Sequence, residues 1–133
     1  MRGPKQILAE ARTIAIVGAS PNPDRPSHEV MRYLLSQGYR CIPVRPLDCD
    51  DVLGIPCVAN VADIDDRIDI VDVFRRSDAL AEHAREAVEC GAGAFWLQLG
   101  LVSAEARAIA TNGGLEYVED ACTAVVHRAL LRG

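Results

Sequence analysis

The strongest constraint on the fold is an alternation that runs the length of the chain. Short, unbroken apolar runs are each followed by a stretch whose apolar residues recur every three or four positions. Residues 13–18 (TIAIVG) form the first run. Such a run suits a strand buried on both faces, the condition of strands in parallel sheets. Behind it Val30, Met31, Leu34 and Leu35 fall at helical spacing between Ser27, the expected cap, and Gly38, which offers a left-handed stop. Further strands are predicted at 40–44, 54–58 (a short third strand), 69–74, 94–98 and 115–119. Ser77 and Ser103 are expected to cap helices reaching about Cys90 and Asn112, and CTAVVHRALL reads as a closing helix. Repeated β-α-β units with right-handed crossovers predict an α/β fold, a doubly wound parallel sheet of order 3-2-1-4-5-6. Ligands then bind beyond the carboxyl ends of the strands, where Gly18, Val44, Phe74 and Gln98 stand.

The loop after the first strand departs from the glycine-rich phosphate turn. Past Gly18 it reads ASPNPDRPS, with Pro21, Pro23 and Pro26 and without the further glycines of G-x-G-x-x-G. Gly18 permits the sharp exit from the strand. A helix starting at Ser27 directs unpaired N–H groups and the positive end of its dipole toward the rim, which suits a phosphate. Ala19 leads into a stiff segment in which Ser20, Asn22 and Arg25 replace bare backbone contacts, Arg25 with a planar fork for bidentate phosphate binding. Ser20 has two readings, ligand donor or turn residue satisfying its own loop. Arg45 and Pro46 follow the second strand, where a dinucleotide fold reads the ribose. Asp48, Asp50 and Asp51 would oppose a phosphate there unless they face solvent.

Two more rim segments carry chemistry. FRRS places Phe74, Arg75 and Arg76 beside a helix start, where cations and dipole jointly attract an anion; ion pairs to Asp78 or Glu82 are the alternative. WLQLG brings Gln98, which can hydrogen-bond an amide, and Gly100, which lets backbone approach a ligand. Trp96, alternating with Phe95, is expected in the core.

Length and composition set the outer bounds. The chain has 133 residues, 50% hydrophobic and 25% charged, enough for one domain spanning 1–133 with a substantial core. A net charge of −5 disfavours a broad nucleic-acid surface, and no apolar run suits a membrane span or a signal peptide, so the expectation is a cytoplasmic protein. The five cysteines are odd in number and never paired as C-x-x-C, which speaks against a disulfide scaffold. His28, expected in an exposed capping turn, His83, expected on a helix, and His127, expected on a helix surface, lie away from any nucleophile motif. No triad and no metal set is predicted.

Together, VGASPNPDRPS, VFRRS, WLQLG and DACTAVVH resemble, in order and spacing, the stand-alone CoA-binding domain family, which is related to the amino-terminal domain of the succinyl-CoA synthetase α subunit. The resemblance covers nearly the whole chain. It implies a Rossmann-like fold and CoA or an acyl-CoA at Gly18, Ala19, Ser20, Asn22, Arg25, Ser27, Val44, Arg45, Pro46, Phe74, Arg75, Arg76, Gln98 and Gly100. Similar proteins tend to read V-N-P-K where this chain has VRPL, which leaves Arg45 as the candidate for the ribose phosphate. Cys122 matches the cysteine of a family D-R-C segment without its arginine, and either burial or thiol reactivity fits it. Ligase activity does not carry over, because the phosphorylated histidine and further domains of the synthetases are lacking. The expected role is non-catalytic, a CoA carrier, sensor or regulator with an unidentified protein partner. The alternative is an NAD(P)-binding redox protein or sensor.

Overall fold

The computed structural model describes residues 2–75 and 77–133. Five parallel strands form the central sheet: β1 (Thr13–Val17), β2 (Arg40–Val44), β5 (Ile70–Val73), β6 (Ala94–Leu97) and β7 (Glu116–Val118), in the order β2-β1-β5-β6-β7. The chain first adds β2 on one side of β1 and then β5, β6 and β7 on the other. The winding therefore reverses between β1 and β5, where Val17 is in register with both Val44 and Val73.

Alternation along each strand feeds two cores. Ala15, Val17, Val71, Val73, Phe95 and Leu97 point to one face, packed under α3 (Leu80–Glu89) and α4 (Ala104–Asn112). Ile14, Ile16, Ile70 and Trp96 point to the other, under α1 (Pro4–Glu10), α2 (Pro26–Ser36) and α5 (Thr123–Arg132). Trp96 and Phe95 are both fully buried, on opposite faces as the pattern predicts. Full burial of one such side chain contributes about 1.5–3 kcal/mol, so a sheet covered on both sides is the dominant source of stability. The first helix, α1, has no counterpart in the sequence reading. Its seven residues are too few for a periodic signal, and packing of Ile7 and Leu8 holds it in place.

The predicted third strand is reduced to one parallel bridge, Val58 to Val44, at the expected edge. Residues 51–56 instead fold back as an antiparallel hairpin, β3 (Asp51–Val52) and β4 (Ile55–Pro56), through a two-residue turn in which Leu53 and Gly54 both have positive φ. The hairpin brings the Cα atoms of Cys49 and Cys57 to 6.0 Å, and the two form a disulfide. One bond within a hairpin, with the other three cysteines free, is not a disulfide scaffold, but it is a pairing that the sequence reading did not foresee. The separation of eight residues between Cys49 and Cys57 carries no signal until the hairpin between them is known. Pro43 is tolerated inside β2 because its carbonyl, and with it the nitrogen that lacks a hydrogen, faces the outer edge; there the carbonyl accepts from Val58 N–H at 3.0 Å.

Two helix starts also differ from expectation. α2 begins at Pro26 rather than Ser27: Arg25 occupies the cap position, Pro26 supplies a preset φ at the first helical position, and the Ser27 side chain makes no cap. A 3-10 turn, Ser77–Ala79, precedes α3, so Ala79 rather than Ser77 is its cap residue. Ser103 caps α4 as predicted, its Oγ accepting from Ala106 N–H at 3.0 Å.

Candidate functional site

The reversal between β1 and β5 opens a groove at the carboxyl ends of the strands. Gly18 leaves β1 with φ +85°, and its N–H donates to Val44 O at 3.1 Å. A Cβ at Gly18 would stand 3.2 Å from Arg75 Cδ and 3.3 Å from the Phe74 carbonyl carbon. Gly18 is thus required both for the left-handed turn and for the close passage of the Arg75 stem. Phe74 N–H donates to Val17 O at 2.9 Å and ties the other wall to β1.

Three adjoining cavities follow the groove. The central one, about 400 Å³, is lined by Gly18, Ser20, Pro21, Asn22, Arg25, Pro26, Ser27, Arg45 and Phe74. The loop that frames it is satisfied from within: Ser20 Oγ accepts from Asn22 N–H at 3.1 Å and Asn22 Oδ1 from Asp24 N–H at 2.9 Å. Those bonds use acceptors only. The Ser20 hydroxyl proton, the Asn22 amide hydrogens and the exposed Arg25 guanidinium remain available as donors beside the amino-terminal end of α2.

At the outer end lies a second cavity, lined by Ala19, Arg45, Pro46, Leu47, Asp48, Phe74 and Arg75 together with Gly18. Arg45 borders both cavities. Its Nε donates to Leu47 O at 3.0 Å and one terminal nitrogen to Ala19 O at 3.2 Å, so the guanidinium is held in place with donors to spare. Asp50 and Asp51 are exposed, and Asp51 accepts from Gly54 N–H in the hairpin; Asp48 stays at the groove margin. Arg75 makes no ion pair with the described residues. Arg76, also expected here, lies outside the described residues.

The inner cavity is of another kind. Pro26, Val30, Phe74, Leu99, Leu101 and Cys122 make it largely apolar, and Gln98 is its polar side chain. Cys122 is a free, half-buried thiol at the cap position of α5. Behind Gln98 lies Asp72, fully buried in the middle of β5. Gln98 Nε2 donates to Asp72 Oδ1 and, at 3.0 Å, to Thr123 Oγ1; Thr123 Oγ1 in turn donates to Asp72 Oδ2 at 3.0 Å. Burial pushes the Asp72 carboxyl up to about 7, with those two hydrogen bonds pulling the other way. Trp96 Nε1 donates to Ala121 O at 2.8 Å, which fixes the turn into α5.

Of the predicted site residues, Val44 and Gly100 stand apart from these cavities. Val44 is buried below the rim, and the Gly100 N–H is taken by Asp120 Oδ1 at 2.7 Å. Two histidine expectations are corrected. His28, one turn into α2, is buried, with Nδ1 lacking a partner among the described residues. His127 is buried where α5 meets α2; its Nδ1 is 2.7 Å from Tyr33 Oη, and burial lowers its pKa. In both cases the helix face that carries the ring packs inward, a fact that helical spacing around a single histidine does not reveal. Asp72 and Thr123 were missed. An aspartate inside the run IVDVF was the available signal, since a carboxylate in a central strand needs partners.

A five-stranded parallel sheet with a groove at the reversal of winding defines a Rossmann-like α/β domain. A family model described as CoA binding domain matches residues 12–128, and the chain belongs to that family. Family membership supports CoA as the ligand. The chain is 43% identical over 123 residues to the uncharacterized protein YneT of Bacillus subtilis (strain 168), covering 92% of this chain and 90% of that protein. A solved structure from Thermus thermophilus matches with a TM-score of 0.90 at 37% identity, over 97% of this chain and 99% of that one. An acetyl-coenzyme A synthetase from Ca. Korarchaeum cryptofilum matches with a TM-score of 0.69 at 24% identity, over 79% of this chain and 25% of the synthetase, a likeness of fold. Among the described residues no helix is long and apolar enough to cross a membrane.

Proposed function

We propose that the protein binds CoA or an acyl-CoA along this groove and acts without a chemical step of its own, as a carrier, sensor or regulator of acyl-CoA metabolism. The observation that carries the reading is the continuity of the groove. Gly18, Arg45 and Phe74 are shared by its outer and central cavities, and Pro26 and Phe74 by its central and inner ones. A ligand with phosphates at one end and an apolar arm with amides at the other fits that sequence of surfaces. The pyrophosphate lies at the start of α2 beside Arg25, the ribose phosphate at Arg45, and the pantetheine arm runs past Phe74 to Gln98. The apolar inner walls suit a thioester-linked acyl chain as well as the free thiol.

The NAD(P) reading is supported by the same sheet and by Arg45, which suits a ribose 2′-phosphate equally. Native mass spectrometry of protein purified without added ligand, searched for CoA, acyl-CoA and NAD(P), distinguishes the two. Titration calorimetry follows, with CoA expected to bind more tightly than NAD. Tighter NAD binding, or no CoA binding at millimolar ligand, overturns the proposal.

A further inference from the structure

The inner cavity offers a ligand almost no polarity, so the orientation of its single amide decides what it accepts. Gln98 is nine-tenths buried. Both hydrogens of its Nε2 are spent on Asp72 and Thr123, while Oε1 takes no hydrogen bond from the described residues. Above pH ~7, where Asp72 is ionised, the reverse orientation is closed: a carboxylate only accepts, and turning the amide over would set Oε1 against Asp72 Oδ1, two acceptors in contact. Thr123 reinforces the choice: its one hydroxyl proton goes to Asp72, leaving its oxygen able only to accept from Gln98.

We propose that Asp72 and Thr123 are positioning residues that lock the Gln98 amide so that its carbonyl faces the groove and accepts a hydrogen bond from an amide N–H of the pantetheine arm. The inference rests on the CoA reading above and adds its polarity: the arm is recognised as a donor. Pro26, Val30, Phe74, Leu99 and Leu101 supply no competing side-chain acceptor. A ligand arm without an N–H at this point covers the Gln98 carbonyl and leaves it without a partner, and an acceptor on a largely buried side chain loses most from that.

The test uses three ligands: CoA; adenosine 3′,5′-bisphosphate, which keeps the nucleotide but has no arm; and CoA analogues in which either amide N–H is replaced by an ester oxygen. Asp72→Asn replaces a two-acceptor carboxylate with one acceptor and one donor, so the Gln98 amide is no longer held to a single orientation. Measured at pH 8, Gln98→Leu is expected to weaken CoA roughly three- to tenfold, Asp72→Asn by a smaller factor, and both to leave the bisphosphate within about twofold. One ester analogue should lose a similar factor on the wild type and nothing further on Gln98→Leu. If Asp72→Asn does not fold, Thr123→Val removes one anchor without changing charge, and a smaller loss confined to CoA is expected. Equal losses on CoA and bisphosphate, or no loss on CoA, overturn the positioning role while the CoA reading stands. A wild type that binds neither ligand overturns both.

Discussion

At the outer and central parts of the groove, Ser20, Asn22 and Arg45 stand on loops and settle their hydrogen bonds within a few residues of chain or with the next loop, and the Arg25 guanidinium beside them is exposed. At the inner end, Gln98, Asp72 and Thr123 come from the rim, the middle of β5 and the first residue of α5, and settle theirs only with each other. The first arrangement lets binding be altered without disturbing the fold. In the second, the groups that would meet the ligand are part of the core, so binding and stability change together.

A pH series tests the inner end most severely. Asp72 titrates at about 7 in the fold against an ordinary carboxylate value of 3.8, so the folded state holds its proton more tightly. The stability this contributes is fully present below pH ~4 and is lost as pH rises through about 7. Relative to wild type, Asp72→Asn should therefore gain stability across that window, on the order of 4 kcal/mol. Cys41, the thiol that feels the Asp72 charge, is pushed up to about 12, mainly by burial, and stays neutral throughout. Thermal melts of both proteins from pH 4 to 8 measure the difference. A pH-independent gap would mean that Asp72 stays ionised and that the inner end resembles the outer one more closely than its burial implies.

The outer end should respond to ligand and hardly to heat. Arg25→Ala is expected to weaken both CoA and dephospho-CoA by roughly tenfold or more, as loss of a charged hydrogen bond worth about 1.5–3 kcal/mol. Arg45→Ala should weaken CoA to a similar degree and leave dephospho-CoA nearly unchanged, because only CoA carries the ribose phosphate. Calorimetric titration of both ligands against both variants reads this directly. Equal losses in Arg45→Ala would assign that arginine to loop support through Ala19 and Leu47 alone. The smallest effect is expected away from either end. Ser103→Ala removes the cap of α4 and should cost about 1 kcal/mol in a denaturant melt without changing CoA affinity.

The same contrast explains what could be read from sequence. Unbroken apolar runs such as TIAIVG are decided by burial on both faces, so five strands and their order were legible, and so was the place at the rim of Arg45, which follows such a run, and of Arg25, which precedes a helix. The third strand was not. GIPCV carries a strand composition, but a two-residue turn at Leu53 and Gly54 claims most of it for a hairpin, and only Val58 reaches the sheet. Ser27 was misread as a cap because proline at a first helical position, here Pro26, moves the cap back two residues to Arg25. Asp72 was hidden for a different reason. Its partners lie 26 and 51 positions away, and no local pattern links them.

The hairpin and Pro43 also bear on how the molecule behaves among its own copies. An uncovered outer strand of a parallel sheet is a template on which another chain can pair and a filament can grow. Along β2 that template is interrupted. Pro43 has no hydrogen to donate, Val58 occupies its carbonyl, and Arg45 N–H is already given to Val58 O at 2.9 Å. A disulfide-closed hairpin follows immediately, where a neighbour would have to dock. The opposite edge, β7, is only three residues long. Among the described residues, a sheet finished in this way offers little free margin for pairing, so little tendency to polymerise through its strands is expected as the chain is concentrated.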